Sequence, residues 1–268
     1  MGFLIRKVRM RILITYDFKL PTGDLNVGTV YLPNETAVDI PVIIYCHGWG
    51  GRRQLWTPTK TLCDRAMKEG IAFVTFDFFG CGETGGENNQ MTYTRWKSNL
   101  SEIVSWVLLQ PFSNKNKIGC YAFSSGSTAA LRLAAEDDRI KFLVSVGTCI
   151  STHIFMRTGG PSKWLADNLQ LLMSGGTFKD FKLDFLMDTI SNAPIHTMDK
   201  IQCPVLFLQG TADNTFRCAD AKMAFDLISQ KNPALPTYIS LEGGTHELDN
   251  MADEAINIVF EWLMPILS

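Results

Sequence analysis

The feature that most restricts this chain is an alternation of short apolar runs with stretches of helical period. The runs are PVIIYCHG (41–48), IAFVTFDF (71–78), KIGCYAF (117–123), IKFLVSVG (140–147), PVLFLQG (204–210) and PTYISLEGG (236–244). Helix-compatible stretches follow near 54–69, 93–109, 125–135 and 247–267, with a further one after residue 210. A strand that is apolar on both sides has to be covered on both faces, which is the condition of a parallel sheet. The alternation therefore predicts an α/β architecture, a mostly parallel central sheet with helices on either side. Ahead of it, two strand-like stretches (11–18 and 26–32) flank the turn-rich LPTGD and predict an N-terminal β-hairpin.

Residues 150 to about 200 break the rhythm. They carry no strand signal but many large apolar side chains, among them Phe155, Trp164, Leu172 and Phe185. So long a stretch with helical periodicity predicts an insertion, a small helical cap over the C-terminal edge of the sheet, where α/β proteins bind ligands. At 268 residues the whole chain, 1–268, fits one domain carrying this insertion.

Four loops at the ends of the apolar runs carry chemistry. In AFSSG (122–126) Ser124 sits between a strand and a helix, with the small Ala122 and Gly126 two positions either side. A tight strand–turn–helix elbow that exposes a nucleophilic serine needs small residues there. Ser125 meets that need less well, since its flanks are Phe123 and Ser127. HGWGG (47–51) is a glycine-rich turn able to aim a main-chain N–H. The Trp49 and Ser125 N–H groups are the expected pair of donors for a developing oxyanion. His47 is expected to be structural, hydrogen-bonding within its loop. Asp213, in QGTADNTF (209–216), is the carboxylate candidate; capping a helix that begins near Phe216 is its competing role. His246, in LEGGTHEL (241–248), follows a strand through a flexible Gly-Gly. Each element alone has an ordinary structural explanation. Together they lie at the C-terminal ends of different strands in the order Ser…Asp…His, and this predicts the catalytic set Ser124, Asp213 and His246.

With those motifs, the chain resembles the α/β-hydrolase superfamily, and within it the small cinnamoyl/feruloyl-esterase-type serine hydrolases that begin with a β-hairpin. The matching pieces are HGWGG, FDFFGCGETGG (76–86) with the following MT (91–92), the elbow, the G-T-x-D of Gly210–Asp213, and EGGTHEL. The resemblance implies the α/β-hydrolase fold and a carboxylic-ester hydrolase working through an acyl-enzyme, with no metal and no cofactor. It departs from the pattern at the elbow. The relatives carry G-H-S-x-G-G, whereas this chain has Ala122-Phe123-Ser124-Ser125-Gly126-Ser127. An alanine-first elbow is also similar to acyltransferase/thioesterases with A-x-S-x-S, which leaves the leaving group, alcohol or thiol, open. Trp49, Phe155 and Trp164 are candidates to line an apolar acyl or aryl pocket. Arg52 and Arg53 read as solvated surface arginines, with recognition of an anionic substrate as the alternative.

Composition excludes several other functions. A net charge of -2 without basic blocks speaks against nucleic acid. Seven scattered cysteines without CxxC pairs form neither a disulfide framework nor a zinc site, and favour a reducing compartment. No apolar run reaches the ~18 residues that cross a bilayer, and the N-terminus lacks a signal-peptide h-region. The expectation is a cytoplasmic protein acting on a small-molecule ester or thioester; homodimer formation is left open. A non-catalytic binding protein on the same fold is the reading from a different class, disfavoured because all three catalytic residue types are present.

Overall fold

The computed structural model describes residues 14–21, 23–150, 173–174 and 182–268. Among these, eight strands form one sheet: β1 (Ile14–Lys19), β2 (Val27–Leu32), β3 (Ile40–Cys46), β4 (Ala72–Phe76), β5 (Ser113–Phe123), β6 (Phe142–Val146), β7 (Val205–Gly210) and β8 (Pro236–Leu241). Their spatial order is β1-β2-β4-β3-β5-β6-β7-β8. β1 and β2 form the expected hairpin, and β2 lies antiparallel on β4. From β4 to β8 every pairing is parallel.

The period of two along β3 shows why the sheet needs two covers. Val42, Ile44 and Cys46 enter one core, while Ile43 and Tyr45 enter the other. The first core is closed by α2 (Tyr93–Val107), α3 (Ser125–Ala134) and α5 (Cys218–Ser229). The second is closed by α1 (Thr57–Lys68) and α6 (Ala252–Leu267). β3 has β4 on one side and β5 on the other, so the chain reverses its direction of travel across the sheet there. The C-terminal ends of β3 and β5 flank that switch point, where doubly wound sheets open a crevice.

Element boundaries shift where backbone pairing overrides side-chain pattern. β5 starts at Ser113, before the apolar run, because Ile40 N–H donates to Phe112 O (2.8 Å) and draws the polar SNKN into the ladder. α6 starts at Ala252, since residues 245–248 are held in a turn with Leu248 at φ 54°.

Within the predicted cap region, the described helix is α4 (Leu183–Ser191), followed by short 3-10 turns at Pro194–His196 and Met198–Lys200. Most of the expected cap, including Phe155 and Trp164, lies outside the described residues. α4 is fixed to the core by the buried Asp188 side chain. It accepts from Thr94 N–H (3.0 Å), the Thr94 hydroxyl, and Arg132 Nη1 (3.4 Å), while Phe185 packs on the Tyr93 ring. No helix among the described residues is long and apolar enough to cross a membrane. All seven cysteines are free and six of them are buried, so they serve as small core residues.

Candidate active site

The elbow is built at the junction of β5 and α3. Ser124 adopts φ 54° and ψ −125°, a conformation a non-glycine residue holds only when its surroundings compel it. Here they do. Ser124 N–H donates to Val146 O (2.8 Å), and Ser124 O accepts from Ser127 N–H (2.9 Å) and the Ser127 hydroxyl (2.6 Å). A Cβ on Gly126 would overlap the main-chain carbonyls of Cys46 and His47, which explains the small residue two positions after the serine. The turn thus pushes the Ser124 side chain out over the end of β5.

Three side chains from three loops meet there. His246 Nε2 lies 3.0 Å from Ser124 Oγ, and His246 Nδ1 lies 2.7 Å from Asp213 Oδ2. Sequence separations of 122 and 33 residues are closed by the sheet. The imidazole is held between the Phe123 ring (4.9 Å) and the Phe216 ring (5.3 Å). Gly147, at φ +59°, leaves the room: a Cβ there would come 2.8 Å from His246 Cε1.

Asp213 is saturated with donors. Oδ2 accepts from His246 and from Gln209 Nε2 (2.6 Å), and Oδ1 accepts from the N–H groups of Thr215 (2.6 Å) and Phe216 (2.8 Å). Burial alone pushes the Asp213 carboxyl up. The hydrogen bond and charge of His246, with the two backbone N–H groups, outweigh it and hold the carboxyl below its ordinary value. The competing capping role is excluded, because the next helix starts at Cys218 with Arg217 as its N-cap.

The Gly-Gly before His246 is not slack, contrary to expectation. Gly210 packs so closely on Gly244 that a Cβ would overlap its carbonyl. Ala212 N–H donates to Gly244 O (2.9 Å) and Thr211 N–H to Leu241 O (2.9 Å), clamping the Asp213 loop to the His246 loop. Asn250 Nδ2 further ties Gly243 O (3.0 Å). Gly244 is there for close approach, with Gly210 Cα 3.0 Å from where its Cβ would sit, whereas Gly243 has open space around it and is required by its φ of +72°.

The 47–53 loop faces the elbow: a Cβ on Gly48 would sit 3.0 Å from Ser124 Cβ. His47 is buried and neutral, its pKa pushed down to about 4 by burial. Its Nδ1–H donates to Gly48 O (2.7 Å), and its Nε2 accepts from Phe78 N–H (3.0 Å). Gly51 N–H also donates to Gly48 O (3.0 Å). With its C=O fixed from two sides, the trans 48–49 peptide turns the Trp49 N–H the opposite way. Ser125 is the first residue of α3, where the helix's own ladder supplies no acceptor for the N–H. The Trp49 side chain is 42% exposed at the mouth of the site.

Arg53 corrects the reading of a solvated or substrate-facing arginine. It is buried, with Nη1 on Asp77 Oδ2 (2.7 Å) and Nη2 on Glu83 Oε1 (2.7 Å), while its N–H donates to Asp77 Oδ1 (2.6 Å). The pair locks the loop after β3 to the loop after β4. Arg52 is exposed.

Gln209 and Asp77 were not among the predicted site residues. Both are polar side chains inside apolar runs and fully buried. Such groups must find hydrogen-bond partners, so the polar interruption was itself the signal. Gln209 links the acid to the loop after β6 as well, since its Oε1 accepts from Thr148 N–H (3.1 Å).

Comparison with known proteins gives the same architecture. A sequence model of the alpha/beta hydrolase fold matches residues 41–163. The chain is similar to a 31.7 kDa Escherichia coli protein of the traX-finO intergenic region, 25% identical over 91% of this chain and 92% of that one. Among solved structures it is similar to Est1E of Butyrivibrio proteoclasticus with ferulic acid bound, at a TM-score of 0.72 and 18% identity, covering 94% of this chain and 95% of that one. It is also similar to the Pyrococcus furiosus esterase Pf2001, at a TM-score of 0.73 and 19% identity, covering 96% of this chain and 92% of that one.

Proposed function

Proceeding from the α/β-hydrolase fold that this chain adopts, we propose that it is a serine hydrolase cleaving a carboxylic ester of a small molecule, with Ser124, His246 and Asp213 as its catalytic triad. The observation that carries this reading is the unbroken chain from Ser124 Oγ through His246 (3.0 and 2.7 Å) to Asp213. In the first step Ser124 Oγ attacks the ester carbonyl and His246 Nε2 takes the hydroxyl proton. Asp213, accepting from Nδ1–H, holds the tautomer that leaves Nε2 free to act as base and stabilises the imidazolium that forms. The tetrahedral oxyanion is held by the Trp49 and Ser125 N–H groups. The imidazolium then gives its proton to the departing alkoxide, leaving the acyl group on Ser124. In the second step His246 takes a proton from water, the resulting hydroxide attacks the acyl carbon, and the Ser124 oxygen departs with that proton.

The strained Ser124 backbone supports the same reading, since strain of about 1–3 kcal/mol is retained where function repays it. The test is Ser124→Ala assayed on a panel of p-nitrophenyl esters. Turnover should fall by at least about 10³-fold with the thermal unfolding profile unchanged. Wild-type rates in the variant would refute the assignment.

A further inference from the structure

Deepening that hydrolase reading, we propose that a groove beside His246 is the site for the departing alcohol, and that it takes an uncharged aryl group. The groove encloses about 440 Å³ and is walled by Tyr45, Trp49, Leu55, Trp56 and Phe123, with glycines of the 48–51 turn as its floor. That volume lies within the range of small-molecule pockets, roughly 300–1,000 Å³, and accommodates a mono- or bicyclic ring.

Position identifies which part of the substrate it serves. The Phe123 wall packs its ring 4.9 Å from the His246 imidazole and 6.2 Å from the Trp56 ring. The same groove reaches Gly48, against Ser124, and Glu247, the neighbour of His246. The leaving oxygen must lie against the imidazole that protonates it, so its substituent extends toward this side. The described part of the cap, α4, belongs to the opposite core, with Phe185 on Tyr93.

Chemistry identifies the occupant. Four of the walls are aromatic rings. What the groove offers is ring face and edge, which match another π system. Its two charges, Arg52 and Glu247, are opposite in sign. A groove with no net charge has no preference for an anionic or cationic guest, and a single exposed arginine is no cradle for a nucleotide-bearing thiol.

The test keeps the acyl group as acetate and varies the alcohol among 2-naphthylmethyl, benzyl and cyclohexylmethyl, which differ little in acidity. The expected kcat/KM for the naphthylmethyl ester exceeds that for the cyclohexylmethyl ester by about 10-fold. Trp49→Ala and Trp56→Ala each lower that ratio severalfold. Equal kcat/KM across the series, or a ratio untouched in both variants, overturns the assignment. Binding of 2-naphthylmethanol to Ser124→Ala protein, followed by calorimetry, reads the groove without turnover. Affinity that weakens on adding either tryptophan substitution supports the site; absent or unaltered binding overturns it. If no ester is cleaved while that binding persists, the groove stands and the hydrolase reading falls.

Discussion

Protonating His47 should destabilise this protein in a pH range where few other side chains change charge. His47 is buried, donates through Nδ1 to Gly48 O and accepts Phe78 N–H at Nε2, so the folded protein has no place for a second ring proton. Burial holds its pKa at about 4 instead of the ordinary 6.5. That gap corresponds to a contribution of order 3 kcal/mol. Because the folded pKa is the lower one, the unfolded chain takes up the proton first. The stabilisation is complete above about pH 6.5, declines as the pH falls, and is gone by about pH 4. Between pH 7 and pH 5 the loss should be about 2 kcal/mol, or roughly 4 °C in the unfolding temperature of a chain this size. The assay is urea unfolding of the wild-type protein and His47→Asn at a series of pH values, which subtracts every group they share. The variant starts about 1–3 kcal/mol lower, since Phe78 N–H loses its acceptor, and its deficit should shrink by about 2 kcal/mol on going to pH 5. Stabilities that fall in parallel with pH would refute the reasoning.

Three other substitutions probe the scaffold around the site. Gly147→Ala places a Cβ 2.8 Å from His246 Cε1 at a positive φ, so kcat should fall by about 10²-fold while the protein still folds; unchanged esterase kinetics would rule out Gly147 as the spacer for the imidazole. Arg53→Ala leaves the fully buried Asp77 carboxylate without its cation, and a loss of about 3–5 kcal/mol is expected in chemical denaturation. Gln209→Leu strips a donor from Asp213 and the acceptor from Thr148 N–H, and should cost about 1–3 kcal/mol of stability. With one donor fewer, the Asp213 carboxyl rises toward its ordinary value, so the acid limb of the stability profile moves to higher pH; an unmoved limb would show that Gln209 does not tune the acid.

Much of the fold was written in local pattern. Apolar runs such as VIIY and VLFL are apolar on both sides of a strand, and only a sheet with two covers accommodates that. Ser124 was legible because an elbow at positive φ demands small neighbours, and Ala122 and Gly126 are two residues away along the chain. Arg53 was misread for the opposite reason. Its partner Asp77 is 24 residues distant, and nothing local distinguishes a buried arginine from a solvated one. The Gly243-Gly244 pair was read as slack because glycine signals both freedom and close approach; the Gly210 backbone that crowds Gly244 comes from another loop.

The sequence by itself determined the alternation of strands and helices, the parallel sheet with its leading hairpin, and the residue types and chain order of Ser124, Asp213 and His246. These follow from side-chain period and backbone sterics, which act over a few neighbouring residues. Only the tertiary structure decided that Gln209 braces the acid, that His47 fixes the Gly48 carbonyl, that Arg53 is buried on Asp77, and that an aromatic groove lies against the imidazole. Arg53 lies 24 residues from Asp77, His47 lies 31 from the Phe78 that pairs its other nitrogen, and Gln209 lies 61 from Thr148. Those contacts exist because neighbouring strands bring chain ends within a few ångströms, a proximity that no local pattern encodes.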